Sequence, residues 1–173
     1  MRVTHEIEIT TTSVRLDGQP IATENTGDKM LVELYRRFAG DYPKFFKMDT
    51  LCRLGFMAAE ILLQKEGVEA VILANRSASI KNDKDYIATI AEGNYYPSPS
   101  LFVYTLPNIV TGEIAIRHHI QGETSFYILD QPDQLAPIIQ STIHAQHFPI
   151  LAGWVECSGQ DTFYAKLQII WNH

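Results

Sequence analysis

The sequence predicts an α/β fold built on a mixed sheet. Three observations carry this expectation. Strand-like and helix-like stretches alternate along the chain, residues 50–66 form a helix that is apolar on nearly every side, and the last two strands follow each other directly. A helix with so narrow a polar stripe (Arg53, Glu60, Gln64) belongs between layers rather than on a surface.

Residues 2–9 alternate, with Val3, His5, Ile7 and Ile9 on one side and Arg2, Thr4, Glu6 and Glu8 on the other, so they read as a strand with one buried face. Val14 and Leu16 before Asp17-Gly18 give a second extended piece ending in a tight turn. A polar loop over 22–28 leads to a helix capped by Asp28, which carries Met30, Leu31, Leu34, Tyr35 and Phe38 and stops at Gly40. The helix over 50–66 takes Asp49 as its N-cap and Gly67 as its stop. Residues 69–74 read as a fully buried strand, 75–79 as a polar loop, 80–92 as an irregular helix and 94–100 as a Pro- and Ser-rich loop. Pro107 opens a helix to about Ile120 in which Gly112 permits close packing. A short strand at 126–129, a helix over 133–147 with Leu135, Ile138, Ile139, Thr142 and Ile143 inward, and strands at 149–155 and 163–171 complete the chain.

A length of 173 residues fits one domain over 1–173, large enough for its own core without disulfide or metal. The 46% hydrophobic and 20% charged composition is globular, and the formal charge of −6 argues against a nucleic-acid surface. No signal peptide or membrane-spanning run is visible, so a cytoplasmic protein is expected, with no membrane partner. Cys52 and Cys157 form no CxxC or CxxH pair, so neither a disulfide framework nor structural zinc is expected. His118 and His119 diverge by about 100° on a helix and read as solvated or capping groups. His144 and His147 have ligand spacing but lack a third ligand nearby, so no metal or other cofactor is expected. Asp130 and Asp133 read as caps at a helix start. Taken alone, the residues contain no phosphate loop, nucleophile elbow or HExxH.

Two stretches nevertheless resemble a known family. Lys47-Met48-Asp49 running into the Ala-containing buried helix is one. The other is the order Leu106-Pro107-Asn108, Gly112, Ile114-Ala115-Ile116-Arg117, Gly122. With the strand at 149–156, these are similar to the N-terminal half of β-ketoacyl-acyl-carrier-protein synthases. The resemblance implies a thiolase-like half-fold of βαβαβαββ type, a mixed five-stranded sheet with helices on both faces. In that family the helix after the strand following Gly122 would begin with a nucleophilic Cys. Here the degenerate nucleophile position holds Asp130, Gln131 and Asp133, with no Cys, Ser or Thr between Tyr127 and Gln134, and the family's C-terminal catalytic residues have no counterpart. Acyl transfer needs a thiolate at a helix N-terminus, so no catalytic residue is assigned and no autonomous condensation is expected.

The resemblance further implies carrier-protein docking through Lys44 and Lys47, spaced i, i+3 before the buried helix, with Arg36 and Arg37 extending the patch. It implies pairing across Thr124, Ser125, Phe126, Tyr127, Ile128 and Leu129, as a homodimer or as a heterodimer with a full-length ketosynthase. The expected function is a non-catalytic, chain-length-factor-like subunit of fatty-acid or polyketide-type biosynthesis. Acyl transfer completed by a partner chain, with Cys157 as its thiol, is one alternative; a self-associating structural remnant is another. An uncovered half would expose a large apolar face on the helix over 133–147 and on part of 50–66.

Overall fold

The computed structural model describes residues 1–145, 148–159 and 161–171. Its elements in chain order are β1 (Arg2–Thr10), β2 (Val14–Leu16), β3 (Gln19–Ile21), α1 (Gly27–Phe38), a short 3-10 helix (Pro43–Lys47), α2 (Thr50–Leu62), β4 (Ala70–Asn75), α3 (Ile80–Ala88), β5 (Ile90–Ala91), β6 (Asn94–Tyr95), α4 (Pro99–Val103), α5 (Ile109–His118), β7 (Thr124–Ile128), α6 (Leu135–Ala145), β8 (Ile150–Gly159) and β9 (Thr162–Trp171). The main sheet runs β3-β2-β1-β9-β8-β4-β7. β4 is parallel to β7 and β8, whereas β9 is antiparallel to both of its neighbours, β1 and β8. The expected five strands form the body of this mixed sheet, and the three-residue strands β2 and β3 extend it to seven. The second hairpin strand follows from Asp17 and Gly18, which both take positive φ (52° and 77°), the twist a two-residue hairpin requires.

One sheet face packs on α1, α2 and α5 around Ile7, Ile9, Leu73, Leu151, Leu167 and Ile169. The other is covered over β4 and β8 by α6, through Leu135, Ile139 and Ile143 against Ile72, Ala152 and Trp154. Every α2 residue except Arg53 is buried, and Asp49 caps the helix by accepting from the Cys52 amide at 2.9 Å. The helix ends at Leu62 rather than running to Gly67, with Leu63 as C-cap. No part of it lacks cover. Nor, among the described side chains, does α6 present a large apolar face: its exposed positions are Ala136, Pro137, Gln140 and Ser141, which are small or polar. The end expected at His147 falls outside the described residues, as do the side chains of the His144–His147 pair. Beyond α6, the same sheet face carries a polar ladder in which Tyr164 donates to Glu8 (3.0 Å), Gln168 donates to Glu6 and Lys166 pairs with Glu6 (3.3 Å). Such a face is compatible with water.

Local departures have local causes. Thr26, not Asp28, precedes α1; Asp28 lies in the first turn and pairs with Arg53 at 2.9 Å. The register shifts between Val3 and His5, leaving Val3 exposed. The segments expected as one irregular helix and a loop resolve into α3, the β5–β6 hairpin and α4, which begins at Pro99 with Ser98 accepting from Leu101 N. Close packing of α2 on α5 falls at Gly55, where a Cβ would lie 2.5 Å from Val110 Cγ2. Gly112 faces open space.

Candidate functional site

In an open α/β sheet, ligand chemistry gathers at the carboxyl ends of the parallel strands. Here those ends are the loops after β4, β7 and β8. Asn75, at the end of β4, holds the Ala78 amide with its side-chain oxygen (2.9 Å) and donates to the Ala78 carbonyl (2.8 Å). This fixes a tight loop in which Ala78 takes a positive φ of 50°. Glu156, near the end of β8, accepts from Arg76 N at 2.9 Å and from the Ser77 hydroxyl. That Ser–Glu contact lacks an imidazole to take a proton from the hydroxyl, so it is a brace between two strand ends.

The segment expected as the degenerate nucleophile position lies after β7. Asp130 and Gln131 are exposed, and a 3-10 turn (Pro132–Gln134) containing Asp133 leads into α6. The cap is made by glutamines rather than aspartates: Gln131 and Gln134 form a reciprocal capping box. The Gln134 side-chain oxygen accepts from both Asp130 N (2.8 Å) and Gln131 N (3.0 Å). Two backbone donors that could stabilise an oxyanion at this terminus are thus occupied. Two aspartates beside them disfavour further negative charge.

Neither thiol substitutes. Cys157 is 1% exposed, donates to the Gly159 carbonyl at 3.3 Å, and burial pushes its pKa up to about 12. Burial likewise raises the Cys52 thiol well above its ordinary value. A nucleophile requires the reverse, so burial argues against Cys157 as the acyl-accepting thiol. His118 Nε2 sits 3.0 Å from Glu60, and His119 is the C-cap of α5 at a φ of 56°. Among the described residues no group of His, Cys, Asp and Glu could hold a metal ion.

Lys44 and Lys47 lie on the 3-10 helix before α2, whose Phe45 is buried in a stack on Tyr35 (4.4 Å between centroids). Both lysines are exposed, but their engagements differ. Lys44 pairs with Glu113 of α5, a 5%-exposed carboxylate that also accepts from the Tyr42 hydroxyl at 3.0 Å. That bond holds the Lys44 ammonium above the ordinary lysine range. Lys47 makes no ion pair among the described residues and borders a cleft of about 580 Å³ with Phe46, Ser100, Val103 and Tyr104. Arg36 and Arg37, in the last turn of α1, border a different cleft of about 620 Å³ with Glu24 and Glu33. Arg37 donates to the Ala22 carbonyl (3.2 Å) and lies over the Phe38 ring.

Deeper in the same wall, Arg117 makes two bonds to Glu60 (3.2 and 3.1 Å) and one to Asp41 (2.7 Å). Glu113, Glu60 and Arg117 therefore fix the loop that carries the lysines. The sequence reading did not assign Glu60 and Glu113 this role. The available signal was a lone carboxylate on each of two largely apolar helices.

The expected pairing strand β7 is the sheet edge, hydrogen-bonded to β4 alone. Thr124 and Ile128 are exposed, Ser125, Phe126, Tyr127 and Leu129 half-buried. Phe126 faces the α2 side, and Tyr127 and Leu129 face the α6 side.

No protein-family model matches the sequence, and no curated protein matches it. Over 99% of its length the chain is similar to a chain of the solved structure of the ketosynthase ApeO in complex with its chain length factor ApeC, from Xenorhabdus doucetiae. The match has a TM-score of 0.73 at 14% identity and covers 79% of that chain. At this identity the likeness shows the fold, which is ketosynthase-like.

Proposed function

We propose that this chain is a non-catalytic ketosynthase-like subunit of fatty-acid or polyketide-type biosynthesis. It pairs through β7 and engages an acyl carrier protein near Lys47. The observation that carries the reading is the β7–α6 junction. In a ketosynthase-like fold, it presents no nucleophile between Tyr127 and Gln134, and Gln134 occupies two of its backbone donors. The free edge of β7 supports pairing, because an unpaired strand edge with an exposed Ile128 (51%) is a template for a further strand.

Two measurements test this. Intact mass after incubation with an acyl donor should show no acyl adduct, and an adduct on either cysteine refutes the non-catalytic reading. Sedimentation of the chain, alone and mixed with a catalytic ketosynthase from the same genome, should show a dimer that Ile128→Lys returns to monomer. Pairing unaffected by Ile128→Lys removes β7 from the interface.

A further inference from the structure

We infer that the cavity between α6 and the β8–β9 hairpin binds a small uncharged molecule with an apolar body and one acceptor oxygen, which receives the Trp154 indole N–H. The cavity holds about 230 Å³. Leu135, Ala136 and Ile139 of α6 line one side, Ala152 and Trp154 of β8 the floor, and Tyr164, Lys166 and Gln168 of β9 the far rim. These strand residues meet there because alternate positions of β8 and β9, paired as Ala152 with Gln168 and Trp154 with Lys166, face α6. A space of this size takes about ten non-hydrogen atoms, scaled from a cavity of roughly 150 Å³ that holds benzene.

The hydrogen-bonding capacity around the cavity sets the class of ligand. Trp154 is 8% exposed, and its indole nitrogen makes no hydrogen bond among the described residues. That nitrogen is not sealed from the surface either, since Asp28 Oδ1 is the only fully enclosed side-chain N or O atom without a partner among the described residues. The other indole, Trp171, donates to Glu66 at 2.7 Å. A buried tryptophan N–H ordinarily finds an acceptor, so Trp154 carries a spare donor at the cavity floor. The rim groups are already engaged: Tyr164 donates to Glu8, Gln168 donates to Glu6, and Lys166 pairs with Glu6 at 3.3 Å. Lys166 and Glu6 cancel, so nothing offsets the desolvation of an ionic ligand. A ketone, ester or ether oxygen matches the one spare donor, and its hydrocarbon body packs on Leu135, Ile139 and the Trp154 ring. The site does not depend on the proposed pairing, because β4 stands between β8 and the β7 edge.

The test follows the two indole N–H resonances of the isotope-labelled full chain, assigned with Trp154→Phe, during titration with acetophenone, a ketone of this size. The Trp154 resonance should shift saturably, and that of Trp171 should stay in place because Glu66 holds it. Benzoate, equal in size but charged, should bind at least tenfold more weakly. Ala136→Leu, at an exposed helical position beside the cavity, should abolish the saturable shift and leave the rest of the spectrum unchanged. No saturable shift at Trp154, or an equal shift of both indoles, overturns the site and leaves water as the acceptor. Benzoate binding as tightly as acetophenone overturns the uncharged class. Retained binding by a folded Ala136→Leu overturns the location.

Discussion

Gly122 and Gly112 lie ten positions apart and answer to opposite constraints. A Cβ on Gly122 would sit 2.1 Å from the Glu69 carbonyl oxygen, where the chain turns past the start of β4. Gly122→Ala should therefore cost about 2 kcal/mol in urea unfolding. Gly112 meets nothing within 4 Å inside α5, so Gly112→Ala should add about 0.5–1 kcal/mol through helix propensity alone. Asp49 gives a pH signature at the same scale. Burial pushes its carboxyl up to about 6 from 3.8, even though it caps α2. A raised acid binds its proton more tightly when folded, so stability falls as pH rises from about 4 to 6, by on the order of 2 kcal/mol. Asp49→Asn keeps an acceptor without the charge, and its stability should be flat across that window.

Between elements, the coupling of α2 to α5 runs through Glu60 with Arg117 and His118. Desolvation pushes the Glu60 carboxyl up, but hydrogen bonds from His118 and Arg117 outweigh it and leave the group below its ordinary value. The sign is opposite to that of Asp49: this stability is present above the unfolded value and is lost as pH falls. Glu60→Gln should cost about 3 kcal/mol at pH 7, and the difference from the unmodified chain should shrink as pH falls below the ordinary glutamate value. Elements of this length were legible in the sequence because a period repeats several times within them, as in β1, α2 and β9. β3, the β5–β6 hairpin and α4 were not, since two to five residues cannot establish a period. The site divides the same way. That residues 127–134 contain no Cys, Ser or Thr could be read directly. The commitment of Lys44 to Glu113 could not, because it depends on which face of α5 meets the loop before α2. Gly55 shows the same limit, since close approach is decided by the opposite residue, Val110.

At the scale of the whole molecule, both cysteines belong to the core on the α2 side of the sheet, one on α2 and one on β8. Their reaction with an aromatic disulfide should be negligible in native buffer, and both should react together at the rate of global unfolding. Separate fast labelling of Cys157 would show that β8 opens on its own. The capped start of α6 bears on engineering. A cysteine introduced at Gln131 would meet amides already held by Gln134 and a carboxylate on each flank. A reactive terminus there requires a thiol, release of the Gln134 lock and removal of negative charge, and no one of these steps is useful without the others. The geometry acts as a ratchet: each intermediate sequence meets the cost of an altered cap before chemistry can reward it.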